Sequence, residues 1–220
     1  MLRASKCSIS PFFRHGKCGF RTQLGSKTSR SKSELTEYKI SEGTHGFVAM
    51  AADDRELKIG LISDSHDCLP KIKETVARLN AEGVELVLHA GDYSAPFVTS
   101  YYGGLKARMV GVFGNNDAER TLLRSMFAQK GHEIRGEFAE VKANKLKIAL
   151  THGDETDLLQ SLSASGAYDV VVYGHTHQAG ITEQRSTLVV NPGEVCGYLS
   201  DKSTFAILDT VTRKARLIPL

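Results

Sequence analysis

Five apolar runs in this chain end in side chains that bind metal ions. LKIGLIS (57–63) runs into Asp64 and His66, and ELVLHAG (85–91) into Asp92. RMVGVFG (108–114) runs into Asn115, Asn116 and Asp117, KLKIALT (145–151) into His152, and DVVVYG (169–174) into His175 and His177. Carboxylates and imidazoles are costly inside a buried strand, but at its end they can serve a site. In open α/β sheets, ligands bind outside the carboxyl ends of the strands. The five ends therefore converge on one edge. Four imidazoles, two carboxylates and an amide oxygen suit Mn, Fe, Ni, Zn or Co better than Ca. Seven donors (Asp64, His66, Asp92, Asn115, His152, His175, His177) exceed what one tetrahedral zinc takes,. They are natural for two ions that share a bridging carboxylate. Such a pair, about 3.5–4 Å apart, clamps the attacking and leaving oxygens of an in-line phosphoryl displacement.

Each member has a blander reading. An Asp ahead of a helix is commonly an N-cap, a His at a strand end is commonly a surface residue, and GD and GN pairs are commonly turns. The ordered series, every member at a strand end, is what carries the metal reading.

The elements that must deliver these residues follow from periodicity. LKIGLIS is a buried-strand run. PKIKETVARLNAEG places Ile72, Val76 and Leu79 on one helical face, with Pro70 in the first turn and Gly83 at the stop,. Strand ELVLHA, a short helix near 95–103, strand ARMVGVF and a helix near 118–130 complete a βαβαβα start with parallel strands. EFAEVKANKLKIALT reads as two strands joined at Ala143-Asn144. A helix over about 155–166 (Leu158, Leu159, Leu162) leads to strand YDVVVY, and strands follow at GITEQ, TLVVN, TFAILD and ARLIPL. Mixed strands with flanking helices suggest two sheets packed face to face, helices outside.

Composition narrows the partners. The net charge of +3 hides a split: residues 1–50 carry nine Lys/Arg against three Glu, a balance of +6, and residues 51–220 carry −3. The mildly acidic folded part gives no strong sign of nucleic-acid binding. No run of 18 apolar residues suggests a membrane span. Cys7, Cys18, Cys68 and Cys196 form no CxxC pair or framework and read as reduced thiols, which favours the cytoplasm,. Residues 1–50 read as a basic extension outside the domain, which spans 57–220. Three accounts of it stand: an inert extension or a true start at Met50, an organellar targeting segment over 1–33, or a tail for an acidic partner. FVTSYYGG (97–104) either forms a homodimer face or packs a helix on the sheet, and the second is preferred.

The ordered set D-x-H, GD, GNND (114–117), THG and GHTH (174–177) resembles the calcineurin-like metallophosphoesterases. It is most similar to the small YfcE-like phosphodiesterases, and GNNDAER and NPGEVCGYL (191–199) look like the archaeal members. The resemblance covers about residues 57–220. It implies a four-layer αββα sandwich of two mixed sheets flanked by helices. It implies one ion held by Asp64, His66, Asp92 and His177, and another by Asp92, Asn115, His152 and His175. Asp92, Asn115 and Asp117 would stand nearest the chemistry, with a hydroxide activated by the ions attacking phosphorus. Mn2+ is the favoured metal, with Ni2+, Fe2+, Zn2+ and Co2+ as alternatives, and the substrate is a small phosphate ester. Many relatives carry a His where this chain has Asn116, and another where it has Asp154. Asn116 cannot protonate a leaving alkoxide, which implies weak action on poor leaving groups. Asp117, Asp154 and Asn191 are expected to support the ligands from behind. Two alternatives remain: a phosphomonoesterase or nucleotide pyrophosphohydrolase using the same site, and a metal-free protein-binding scaffold of the same fold, as in a retromer subunit.

Overall fold

The computed structural model describes residues 56–220, so the readings of residues 1–50 lie outside the described residues. Alternation along the buried strands decides which layer each side chain joins. In β1 (Lys58–Ile62), Ile59 and Leu61 face one way and Ile62 the other. The parallel strands β2 (Leu86–His89) and β3 (Arg108–Gly111) repeat the pattern: Leu86, Leu88 and Val110 point one way, Val87 and Met109 the other.

The helices between these strands cover one face. α1 (Leu69–Glu82) has Pro70 in its first turn and buries Ile72, Val76 and Leu79. Gly83 ends it at φ 69°, a left-handed cap open to glycine at little cost,. A 3-10 helix (Pro96–Gly104) buries Val98 and Tyr102, so this stretch does pack a helix on the sheet. α2 (Arg120–Ala128) adds Leu123 and Phe127. A two-residue parallel strand, β4 (Glu133–Ile134), follows, too short to leave a periodic signal.

The second sheet begins with a hairpin of β5 (Phe138–Ala143) and β6 (Leu146–Thr151). Its turn falls at Asn144-Lys145, one residue beyond the sequence expectation, because Asn144 takes up the left-handed backbone (φ 51°) that Asn tolerates well,. α3 (Thr156–Ala164) turns Leu159 and Leu162 toward the sheet and leaves Leu158 exposed. β7 (Val170–Val172), β8 (Gly180–Gln184) and β9 (Thr187–Asn191) complete this sheet in the order β5-β6-β7-β9-β8. The chain then returns to the first sheet with β10 (Thr204–Asp209) and β11 (Lys214–Pro219), giving the order β11-β10-β1-β2-β3-β4.

The two sheets face each other across an apolar layer. Ile59, Leu61, Leu86, Leu88 and Val110 meet Val141, Ile148, Leu150, Val170, Val172 and Val190. The result is a four-layer αββα sandwich of two mixed sheets. Each large aliphatic side chain in that layer contributes about 1.5–3 kcal/mol by leaving water, and Leu61→Ala would cost about 2–5 kcal/mol. Among the described residues, no helix is long and apolar enough to cross a membrane.

Candidate metal centre

The carboxyl ends of β1, β2 and β3 and of β6 and β7 meet at one edge of the sandwich. Asp64, His66, Asp92 and Asn115 follow strands of the six-stranded sheet, and His152, His175 and His177 follow strands of the five-stranded one. The strand-end segments are stitched by backbone hydrogen bonds. Asp64 N–H donates to Gly91 O (3.1 Å), His66 N–H to Asp92 O (3.1 Å), Gly174 N–H to His152 O (2.8 Å) and Cys196 N–H to Asp64 O (3.1 Å).

The glycines of the GN and GH pairs have a steric reason. A Cβ on Gly114 would stand 2.1 Å from Asp92 Oδ1, and one on Gly174 would stand 2.6 Å from Asp64 Oδ2 and 1.8 Å from Ser63 Oγ. Five of the seven donors sit at positive φ: Asp64 (52°), His66 (37°), Asp92 (60°), His175 (64°) and His177 (59°). Such backbone costs of order 1–3 kcal/mol per residue and gathers at functional sites. Neither Asp64 nor Asp117 caps a helix: Cys68 precedes α1 and Glu119 precedes α2.

The seven donors form one continuous chain of close approaches. His175 Nδ1 lies 3.1 Å from Asn115 Oδ1, which lies 2.9 Å from His152 Nε2. His152 Nε2 is 3.4 Å from Asp92 Oδ2, and His66 Nε2 approaches the same oxygen at 3.4 Å. His66 Nε2 is 3.8 Å from Asp64 Oδ1, which is 3.4 Å from His177 Nε2. Asp92 stands in the middle. Asp64 Oδ1 and His66 Nε2 are buried with no hydrogen-bond partner. Three hydroxyls (Ser63, Tyr93 and Thr99) are also unmatched among the described residues, but the carboxylate oxygen and the imidazole nitrogen are the two of the kind that coordinates a divalent ion,. The donor set therefore fits a metal.

Charges follow from this packing. Burial pushes the Asp64 carboxyl up, against the pull of His152 and His177. Burial acts on Asp92 in the same direction, yet His152 and Asn116 hold it well below the usual carboxylate range. Burial disfavours charge on His152, but the Asp92 carboxylate lifts it to about 9.

The supporting residues are also placed. Asn116 donates from its backbone N–H to Asp92 Oδ1 (2.9 Å) and from Nδ2 to Asp92 Oδ2 (2.8 Å). Asp117 accepts from the N–H groups of Asp92 (3.1 Å), Tyr93 (2.6 Å), Ser94 (2.9 Å) and Gly114 (2.8 Å), so its carboxylate ties two strand ends together. Asn191 Nδ2 donates to Gly174 O (2.9 Å) and Thr176 Oγ1 (3.0 Å), bracing the segment that carries His175 and His177. Asp154 is exposed, and His152 Nδ1 is held by Ala90 O at 2.8 Å instead.

Sequence reasoning passed over Glu194. It is fully buried at the end of a sixth strand, β9, with Oε2 2.7 Å from His177 Nδ1. Burial opposes its charge, but its donors hold it at about 2. The one signal was a carboxylate directly after an Asn-Pro-Gly turn.

The sequence profile of the calcineurin-like phosphoesterase superfamily domain matches residues 57–213. The chain belongs to the calcineurin-like phosphoesterase superfamily. Within that superfamily of phosphate-ester hydrolases, it is 42% identical over 165 residues to a phosphodiesterase of Methanocaldococcus jannaschii, covering 74% of this chain and 99% of the relative. The solved structure of an archaeal phosphodiesterase superposes with a TM-score of 0.72 at 41% identity, covering 74% of this chain and all of that one. The phosphoesterase YfcE of E. coli shares the calcineurin-like fold at a TM-score of 0.56 and 21% identity, covering 74% and 98%.

Proposed function

We propose that this chain hydrolyses small phosphodiesters at a two-metal centre. Asp64, His66, Asp92 and His177 would hold one ion, and Asp92, Asn115, His152 and His175 the other. One observation carries this reading: the donors form a single chain with Asp92 at its midpoint, and two of their atoms are buried without partners. A relative that matches over nearly its full length is named a phosphodiesterase, which supports the diester substrate.

Two divalent ions held there would supply a water of lowered pKa and positive charge opposite the non-bridging phosphoryl oxygens. The chain's own residues set the geometry. Asn116 bonds both oxygens of Asp92 and so fixes the carboxylate with Oδ2 3.4 Å from both His66 and His152. Asn115 Oδ1 lies between His152 and His175 and spaces the two rings. The Asn116 amide has no proton to give a leaving alkoxide, so the reaction favours leaving groups that depart as anions. The imidazole-rich donor set suits Mn2+ better than Ca2+, with Ni2+, Fe2+, Zn2+ and Co2+ as competitors.

The test uses the metal-stripped full-length chain with Mn2+ or Ni2+ added back. Bis-p-nitrophenyl phosphate and p-nitrophenyl phosphate are assayed side by side, with Asp92→Asn as control. Metal-dependent turnover of the diester, lost in Asp92→Asn, is expected. Faster turnover of the monoester would move the assignment to a phosphomonoesterase. No bound metal and no turnover would leave a protein-binding scaffold.

A further inference from the structure

The four imidazoles of the centre are not held alike. Behind His66 stands the Ser94 hydroxyl (3.3 Å), behind His152 the Ala90 carbonyl (2.8 Å), and His175 Nδ1 faces the Asn115 amide oxygen (3.1 Å). His177 alone of the four has a carboxylate at its back, Glu194 Oε2 at 2.7 Å. A carboxylate only accepts. His177 Nδ1 is therefore the donor in this pair, and Nε2, 3.4 Å from Asp64 Oδ1, is the nitrogen left to face the centre.

Glu194 has further partners, all on the following segment. Its oxygens accept from Cys196 Sγ (2.9 Å), Tyr198 N–H (2.9 Å), Leu199 N–H (3.0 Å), Ser200 N–H (2.5 Å) and Ser200 Oγ (2.7 Å). A buried negative charge is expensive to place inside a protein, and these donors, spread over both oxygens, are what keep it there. They also fix the carboxylate in position, so that its remaining bond, to His177 Nδ1, is held rigidly.

The two halves of the centre thus differ in charge. The half built on Asp64, His66 and His177 has the Asp64 carboxylate, a share of Asp92 and the Glu194 carboxylate behind its imidazole. The other half has a share of Asp92 and otherwise Asn115, His152 and His175, none of which brings a negative charge. We propose that Glu194 is a positioning residue that fixes His177 for coordination and makes the Asp64-side position the one that fills first and tightest. This inference rests on the two-ion reading above.

The test is a calorimetric titration of Mn2+ into the metal-stripped full-length chain. Two phases are expected in the wild type. In Glu194→Gln, the tight phase should weaken about 10–100-fold, as removal of such partners behind metal ligands typically does, and the weak phase should hold. Ser200→Ala removes a loop bond to the same carboxylate without touching its charge, and should leave both phases unchanged. Equal affinities in wild type and Glu194→Gln, a loss confined to the weak phase, or the same loss in Ser200→Ala would each overturn the assignment. A wild type that binds no ion would overturn the two-ion reading together with it. Should Glu194→Gln fail to fold, imidazole 15N NMR of the metal-free wild type decides. A proton on His177 Nδ1, shared with Glu194, is expected, and a bare Nδ1 would refute the role.

Discussion

Beneath the metal centre, His89 is fully buried in β2 and makes a sharp pH prediction. Gly91 N–H donates to its Nδ1 at 3.1 Å, so the ring is neutral with its proton on Nε2, 3.1 Å from the Tyr102 hydroxyl. The Tyr93 ring stacks on it at 3.9 Å between centroids. Charging this ring would place a cation in an apolar core and break the Gly91 bond. Burial accordingly pushes its pKa from 6.5 down to about 3. A base lowered on folding gives stability that is complete above its unfolded value and lost as pH falls toward its folded one. Between pH 8 and pH 5, His89 alone should remove about 2 kcal/mol, since the unfolded chain takes up the proton and the native one does not. The perturbation is His89→Gln, whose amide can accept from Gly91 and donate to Tyr102 but cannot titrate. Urea unfolding of metal-free wild type and variant at both pH values gives the comparison. Wild type should lose about 2 kcal/mol more than the variant between the two pH values. His152, raised to about 9, contributes in the opposite sense, with stability present below 6.5 and lost as pH rises through about 9. It is common to both proteins and cancels. Parallel losses in wild type and variant would refute the buried neutral imidazole.

Other expectations concern the centre itself. Because Asn116 cannot act as an acid, alkyl diesters should be hydrolysed more slowly than aryl diesters by about the 10²–10⁴-fold that general acid catalysis supplies, and equal rates across a leaving-group series would contradict this. Gly174→Ala drives a Cβ into Asp64 Oδ2 and Ser63 Oγ, so turnover should fall about 10²-fold through misplacement of Asp64. A variant with wild-type turnover and metal affinity would show that the close approach is dispensable. Saturating Mn2+ at about 100 times its Kd should stabilise the fold by about 2.7 kcal/mol per site. For a domain of this size, that raises the Tm by about 5–11 °C, and a scanning-calorimetry trace unmoved by Mn2+ would count against metal at this site.

The strands that carry the donors were readable because each is an apolar run cut short by a polar residue, a contrast that a single sequence displays. The helices were readable where a face recurs, as with Ile72, Val76 and Leu79, and where Gly83 marks a stop. β4 was not, because Glu133 and Ile134 pair with β3 through two residues and have no period. The stretch at Pro96–Gly104 read as a helix, and its tighter 3-10 winding depends on packing of Val98 and Tyr102 that sequence does not display. The seven candidate donors proved to be neighbours, while the contact between Glu194 and His177 stayed hidden. That pair joins two loops seventeen residues apart, and no period or local motif in the sequence links them.

The donors straddle the seam between the two sheets, four on one side and three on the other. The gap that an ion must bridge is therefore set by the aliphatic layer beneath, in which Leu61, Leu88, Leu150 and Val172 keep the sheets apart. The centre works as a caliper on that layer. A methyl group gained or lost far from any proposed ligand is expected to change the jaw width, and with it the metal affinity, before the fold itself gives way.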